Sequence, residues 1–245
     1  MFMSLVGKTA LVTGGSTGIG LGIAQELLAR GATVVAASRR LDSGPLEHDS
    51  GRFHAVALDV TDAKQVGEVV TGLGSRFGGI DIVVANSGLS VPGLVADIEP
   101  DRWSAVIRTN VDGVFNTVNS ALPWLAKSDA GRIITVSSLL ANSVFPFSSA
   151  YSASKAAVES FTKVVAAEVG KDGITANCLS LGFIDAGMGK ALQENAGLWA
   201  KYSAKLSTGR PGTAAEVAEV AAFLASSASS YVNGAVIAVD GGILG

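Results

Sequence analysis

The chain has 245 residues, 48% of them hydrophobic, and its 18 basic against 21 acidic side chains give a formal charge of −3. This is enough apolar material for one sizeable core and a single domain spanning 1–245, and the near-balance of charge excludes the basic footprint of a nucleic-acid or anionic-membrane partner. The lone Cys178 excludes an intramolecular disulfide framework, and MFMSLVGKTALVTGG shows neither a signal-peptide pattern nor a membrane-length apolar run, which points to a soluble cytoplasmic protein.

Seven short β-branched runs follow in chain order: TALVTG, TVVAAS, FHAVALDV, DIVVAN, RIITVSS, ITANCLS and AVIAVDG. Helical periodicity fills the intervals, in GLGIAQELLARG, DAKQVGEVVTGLGSRFG, DRWSAVIRTNVDGVFNTVNSALPWLA and YSASKAAVESFTKVVAAEVGKDG. The alternation predicts an α/β fold, a Rossmann-like, doubly wound, seven-stranded parallel sheet with helices on both faces. RLDSGPLEHDSG, broken by Gly44 and Pro45, leaves room for a short helix only, and His48 and His54 read as surface residues. Cys178, inside ITANCLSL, reads as a packed core thiol.

LVTGGSTGIGLG joins the first strand to the first helix through Gly14, Gly15, Gly18 and Gly20. Such a turn lets backbone N–H groups approach a pyrophosphate, whose charge the helix N-terminus favours. No GxxxxGKS/T accompanies it, which excludes an ATP-type phosphate loop. At the tip of the second strand an acid would bind the ribose hydroxyls of NAD, whereas an arginine accommodates the 2'-phosphate of NADP. The tip reads AASRR, so Ser38 stands where that acid is sought, Arg39 is the phosphate candidate, and Arg40 reads as a solvated surface charge.

YSASK sets Tyr151 and Lys155 on one face of a helix. A phenol with an ordinary pKa near ~10 needs a nearby cation to work as an acid-base group at neutral pH, and Lys155 can supply one. Ser137 and Ser138 end the fifth strand at the carboxyl edge, where open α/β sheets bind ligands, and one of these hydroxyls could hold a carbonyl oxygen.

Together these motifs resemble the short-chain dehydrogenase/reductase family from Lys8 to Gly242: TGGSTGIG, Asp59 in LDV, NSG at Asn86 to Gly88, Asn110 in RTNVDG, and Ser138 thirteen residues before the tyrosine of YxxxK, with GRPGTAAEVA and VDGG closing the match. The resemblance implies hydride transfer between a nicotinamide and a ketone or secondary alcohol. Tyr151 would be the general acid or base, and Ser138 would orient the substrate oxygen. Lys155 would bind the nicotinamide ribose and lower the tyrosine pKa, while Asn110 would hold a water. It implies cofactor contacts from Gly14, Ser16, Thr17, Gly18, Ile19, Gly20, Ser38, Arg39, Asp59, Val60, Asn86, Gly88, Gly182 and Ile184, besides Tyr151 and Lys155, with no metal. NADP(H) is expected in preference to NAD(H). The helices around Asn110 and Tyr151 are expected to pair between subunits, giving a homotetramer or a dimer. The chain departs from the family pattern at Leu181 and Ala186, where proline and threonine are usual, at Ala141 for glycine, and at Thr17 for a basic residue.

Leu139, Leu140, Asn142, Phe145, Phe183, Met188, Leu192 and Trp199 form a mostly apolar set of pocket candidates, and 186–209 reads as a substrate lid. This suits a free hydrophobic or secondary-metabolite ketone. Carrier-dependent relatives place arginines where this chain has Asp129 and Asp172, with Lys127, Arg132 and Lys171 nearby, so a 3-oxoacyl-(acyl-carrier-protein) reductase is the alternative. Two readings of other classes are a serine hydrolase built on Ser152 and Lys155, which lacks SDN and KTG partners, and a silent nucleotide-binding protein, against which the intact Asn110, Ser138, Tyr151 and Lys155 argue.

Overall fold

The computed structural model describes residues 3–40, 51–193 and 196–243. The short helix expected near Gly44 and the residue His48 lie outside the described residues.

The seven runs form strands β1 (Thr9–Thr13), β2 (Thr33–Ser38), β3 (Phe53–Ala57), β4 (Ile82–Ala85), β5 (Arg132–Ser138), β6 (Thr175–Leu181) and β7 (Val236–Val239). All pairs are parallel, in the order β3-β2-β1-β4-β5-β6-β7. β1, β4, β5 and β6 are buried along their whole length because helices cover both faces.

Strand alternation sorts the core into two layers. Ala10, Val12, Val34, Ile82, Val84 and Ile134 pack against α1 (Gly18–Ala29) and, through the same layer, α8 (Ala214–Ala225). Leu11, Val35, Val83 and Ile133 pack against α2 (Ala63–Phe77), α4 (Gly113–Leu125) and α5 (Ser149–Val169). Cys178 is fully buried in this second layer, as expected of a core thiol. His54 is half-buried rather than a surface residue, with its ring centroid 5.0 Å from that of Phe77.

The helix expected to run unbroken through RTNVDG is interrupted. α3 (Pro100–Ile107) passes through a π-helical turn, Arg108–Asp112, before α4 begins. The cause is tertiary: Asn110, within the turn, accepts from Leu89 N–H at 2.7 Å and donates to the Leu89 carbonyl at 2.9 Å and the Ser154 hydroxyl at 2.9 Å. Single π turns of this kind are frequent at functional sites.

Candidate active site

The glycine turn is braced from behind. Gly14 and Gly18 adopt φ of 64° and 56°, a region that favours glycine. Asn86 Nδ2 donates to the Thr13 and Gly14 carbonyls at 3.0 and 3.3 Å, and a Cβ on Gly20 would lie 2.1 Å from the Gly14 carbonyl oxygen. Asn86 and Gly20 therefore shape the turn, and Ile19 packs into the α1 layer. Thr17, at the N-cap of α1, makes no side-chain cap, so no capping oxygen claims the first-turn N–H groups that an anion would use.

The chain winds outward from β1 to β3, then crosses back to β4, and a groove of about 440 Å³ opens over the carboxyl ends of these four strands. Of the residues expected to contact the cofactor, Gly14, Ser16, Thr17, Ser38, Arg39, Asp59, Val60 and Gly88 line this one groove. Leu58, Ser87, Thr109 and Arg40 line it as well. Arg40 is exposed, as expected of a solvated charge, yet it borders the groove: the Ser38 hydroxyl donates to its carbonyl, which turns the tip of β2 back over the groove's rim. The Asp59 carboxyl is held below its usual range, chiefly by the Thr61 backbone N–H, with help from the Thr61 hydroxyl and Arg39 against partial burial.

Ser137 and Ser138 are adjacent on a strand and so point opposite ways. Ser137 is sequestered, its hydroxyl lying 2.9 Å from Glu159 Oε1 and 3.2 Å from the Lys155 carbonyl. Ser138 Oγ accepts from Leu140 N–H at 3.3 Å and interacts with the Tyr151 phenol. Lys155 is buried and donates from Nζ to the Val136 carbonyl at 2.7 Å. A Cβ on Gly88 would lie 3.6 Å from Lys155 Nζ and 3.7 Å from Asn110 Oδ1, so the NSG turn, the π turn and α5 meet at one point. Although Tyr151 as a residue is only half-buried, desolvation of its phenol pushes its pKa up to about 12, and Ser138 partly opposes this. Burial pushes Lys155 down to about 8, partly opposed by Cys178. The phenol pKa is thus set by burial against the Ser138 hydroxyl, and the expected lowering by Lys155 is not among its causes.

Asn110 shows a similar division of labour. Its side chain is engaged with Leu89 and Ser154, tying the π turn to the NSG loop and to α5.

Beyond the carboxyl ends of β5 and β6, Phe145 and Phe183 meet Trp199 and Tyr202 of α7 (Ala196–Ser203), which follows α6 (Met188–Gln193). Phe183 lies 5.9 Å from Trp199 and 5.3 Å from Tyr202, and Phe145 lies 5.2 Å from Tyr202, between ring centroids. Tyr202, missed in the sequence, was signalled only by its spacing from Trp199. Leu139 is buried, Leu140 half-buried, and Asn142 and Met188 are exposed, while the Leu192 side chain lies outside the described residues.

Leu181, in place of proline, extends β6 to pair with Ser138. Gly182 follows with no room for a side chain, a Cβ there falling 2.5 Å from Asp240 Cα. The bridge of Ile184 to Gly212 uses the Asp185 N–H and the Phe183 carbonyl, leaving Ile184's own groups outside it.

Asp129 and Asp172 are not beside this site in the chain. They precede β5 and β6, at the amino edge of a parallel sheet, and the seven residues of β5 separate that edge from Ser138 by roughly 20 Å. Asp129 is also ion-paired with Lys8.

A parallel sheet with a glycine turn at its switch point, and a tyrosine, lysine and serine converging at its carboxyl edge, define a dinucleotide-dependent oxidoreductase. A family model described as enoyl-(acyl carrier protein) reductase matches residues 14–244. The 3-oxoacyl-(acyl-carrier-protein) reductase of Salmonella typhimurium is 37% identical over 98% of this chain and 99% of its own. That of Thermotoga maritima is 38% identical over 99% and 100%. Among solved structures, a gluconate 5-dehydrogenase from Burkholderia cenocepacia in complex with NADP and tartrate superposes with a TM-score of 0.93 at 33% identity, over 98% of this chain and 96% of that one. The chain belongs to the short-chain dehydrogenase/reductase family and is an NAD(P)-dependent enzyme acting between CH–OH and C=O groups. Among the described residues, no helix is long and apolar enough to cross a membrane.

Proposed function

We propose that this protein reduces a free, largely apolar ketone with NADPH, as a single domain whose 186–209 segment closes over the substrate. The observation that carries the substrate class is the aromatic wall of Phe145, Phe183, Trp199 and Tyr202, which offers large apolar contact and few groups to satisfy a polyol. The bound nicotinamide supplies the hydride. Tyr151 gives its proton to the carbonyl oxygen, and Ser138 holds that oxygen in place. With its pKa raised by burial the phenol is protonated at neutral pH, the form that can act as the general acid. Lys155 provides the buried positive charge that stabilises the phenolate left behind, and Asn110 fixes the π turn whose main chain can hold a water on the proton path.

NADPH preference is supported by Arg39 and Arg40 in the groove, with no carboxylate at Ser38. One charge pair 4 Å apart is worth about 1 kcal/mol in water and about 4 kcal/mol at an effective dielectric near 20. Exposed Phe115 on α4 and Val164 on α5 support subunit association through these helices, as a tetramer in our reading.

The curated relatives favour a second reading, reduction of a 3-oxoacyl group on a carrier protein. Asp129 and Asp172 lie at the opposite edge of the sheet from Ser138 of the same chain, so their charge bears on this reading only through a docking surface away from that chain's own site mouth. A comparison of kcat/KM with NADPH for cyclic and aryl ketones against a carrier-bound 3-oxoacyl thioester, at low and high salt, separates the two. Faster turnover of free ketones without salt dependence is expected. Preference for the carrier-bound substrate that weakens with salt would select the second reading, and reduction of a conjugated C=C in place of the ketone would overturn both.

A further inference from the structure

Tyr151, Lys155 and Glu159 lie at successive four-residue steps on α5, so the third ionisable group shares the catalytic face. Glu159 is only 6% exposed, and none of the ion pairs among the described residues includes it. A buried carboxylate without a cation is a costly residue, and replacing such a group by an apolar one is often neutral or stabilising. Its partners are specific. Oε1 accepts from the Ser137 hydroxyl at 2.9 Å, and Oε2 accepts from Asn142 Nδ2 at 2.9 Å. Ser137 immediately precedes Ser138, and Asn142 follows the short turn Leu139–Ala141 that leaves it. The two oxygens of one carboxylate therefore grip both ends of the segment that carries the Ser138 hydroxyl.

We propose that Glu159 is a positioning residue: its carboxylate clamps Ser137 and Asn142 to α5 and thereby fixes Ser138 against Tyr151. Without the clamp Ser137 keeps the Lys155 carbonyl as an acceptor, and the exposed Asn142 amide can turn to water. Stability thus depends little on the clamp. The catalytic geometry depends on it more, because displacements near 1 Å at a reacting centre can cost about a hundredfold in rate. The inference rests on the ketone-reductase reading for its kinetic part only.

The experiment pairs kinetics with amide hydrogen exchange in Glu159→Leu and Asn142→Ala, the second being an exposed position whose change leaves folding unaffected. Glu159→Leu is expected to melt no lower than the parent, to bind NADPH within about twofold, and to lose kcat by roughly tenfold or more with a smaller change in KM. Glu159→Gln, which retains one acceptor oxygen, should recover part of this loss. In a Ser138→Ala background the Glu159→Leu effect should shrink below about twofold, since a residue acting through Ser138 has nothing left to position. Exchange at the Leu140 amide, which donates to Ser138 Oγ, should accelerate by about tenfold in both Glu159→Leu and Asn142→Ala while α1 and α2 amides keep their protection. Unchanged exchange at Leu140, or an undiminished Glu159→Leu effect in the Ser138→Ala background, would overturn the clamp. A parent enzyme that turns over no ketone would instead fail the functional reading, and the exchange measurement still decides the clamp.

Discussion

Lys155 Nζ donates to the Val136 carbonyl oxygen at 2.7 Å while standing 5.5 Å from the ring centroid of Tyr151. The ammonium is held by β5, and it acts on the phenol through space within a desolvated site. Two opposed displacements follow, Lys155 down to about 8 and Tyr151 up to about 12.

Lys155 makes a stability prediction. Its folded pKa lies below the ordinary 10.5, so between about pH 8 and 10.5 the unfolded chain binds more protons and stability rises with pH. Below pH 8 the charge is carried at a cost on the order of 3 kcal/mol, partly offset in a variant by the lost bond to Val136. Lys155→Met should therefore melt several degrees higher than the parent at pH 7, with the gain shrinking towards pH 10.5, while turnover and NADPH affinity collapse. Scanning calorimetry across this range checks the sign; a gain that grows with pH would contradict it. Tyr151 behaves oppositely, its stabilising share being lost as pH rises from about 10 to 12.

Tyr151→Phe removes the proton donor and little volume. Ketone reduction should fall by at least about 10²-fold with NADPH binding intact, measured by steady-state kinetics and fluorescence titration. A variant keeping half its activity would place the proton donor elsewhere. For alcohol oxidation by Lys155→Ala, any residual pH-rate curve should move to higher pH, because the phenolate loses its nearby cation.

Cofactor choice should reverse in Ser38→Asp with Arg39→Ala, where a repulsion replaces an attraction for the 2'-phosphate. Because Arg40 lines the groove, Arg40→Ala alone should weaken NADPH several-fold and leave NADH nearly unchanged. Equal kcat/KM for the two cofactors in the parent would refute the preference.

Asn110→Ala would remove the partners of the half-buried Leu89 N–H and carbonyl and break the buried contact with the Ser154 hydroxyl. A loss of about 2–4 kcal/mol is expected, a drop of roughly 4–16 °C in melting temperature, together with reduced kcat. A normal melting temperature would mean that the π turn forms without this side chain.

Phe115→Glu combined with Val164→Glu should lower the assembly state, read by light scattering at micromolar concentration. A parent that is already monomeric would remove the subunit pairing from the picture.

The sequence by itself determined the seven strands, their alternation with helices, the glycine turn and the Tyr151–Lys155 pair. Each of these is written locally: the strands as short β-branched runs that can be buried on both faces, the helices in a period of about four, and the turn in glycines that a tight turn requires. Ser138 over Ser137 was legible only through family resemblance; the structure supplies the reason, since adjacent strand residues face opposite ways and Glu159 takes Ser137. Only the tertiary structure decided the π turn, whose cause is the meeting of Asn110 with Leu89 and Ser154, residues 21 and 44 positions away. It likewise brought Arg40 to the rim of the groove and Tyr202 to the aromatic wall. A sequence pattern records which face of an element is apolar, whereas these features depend on which groups of distant elements arrive within contact or hydrogen-bonding reach once the two core layers have closed on the sheet.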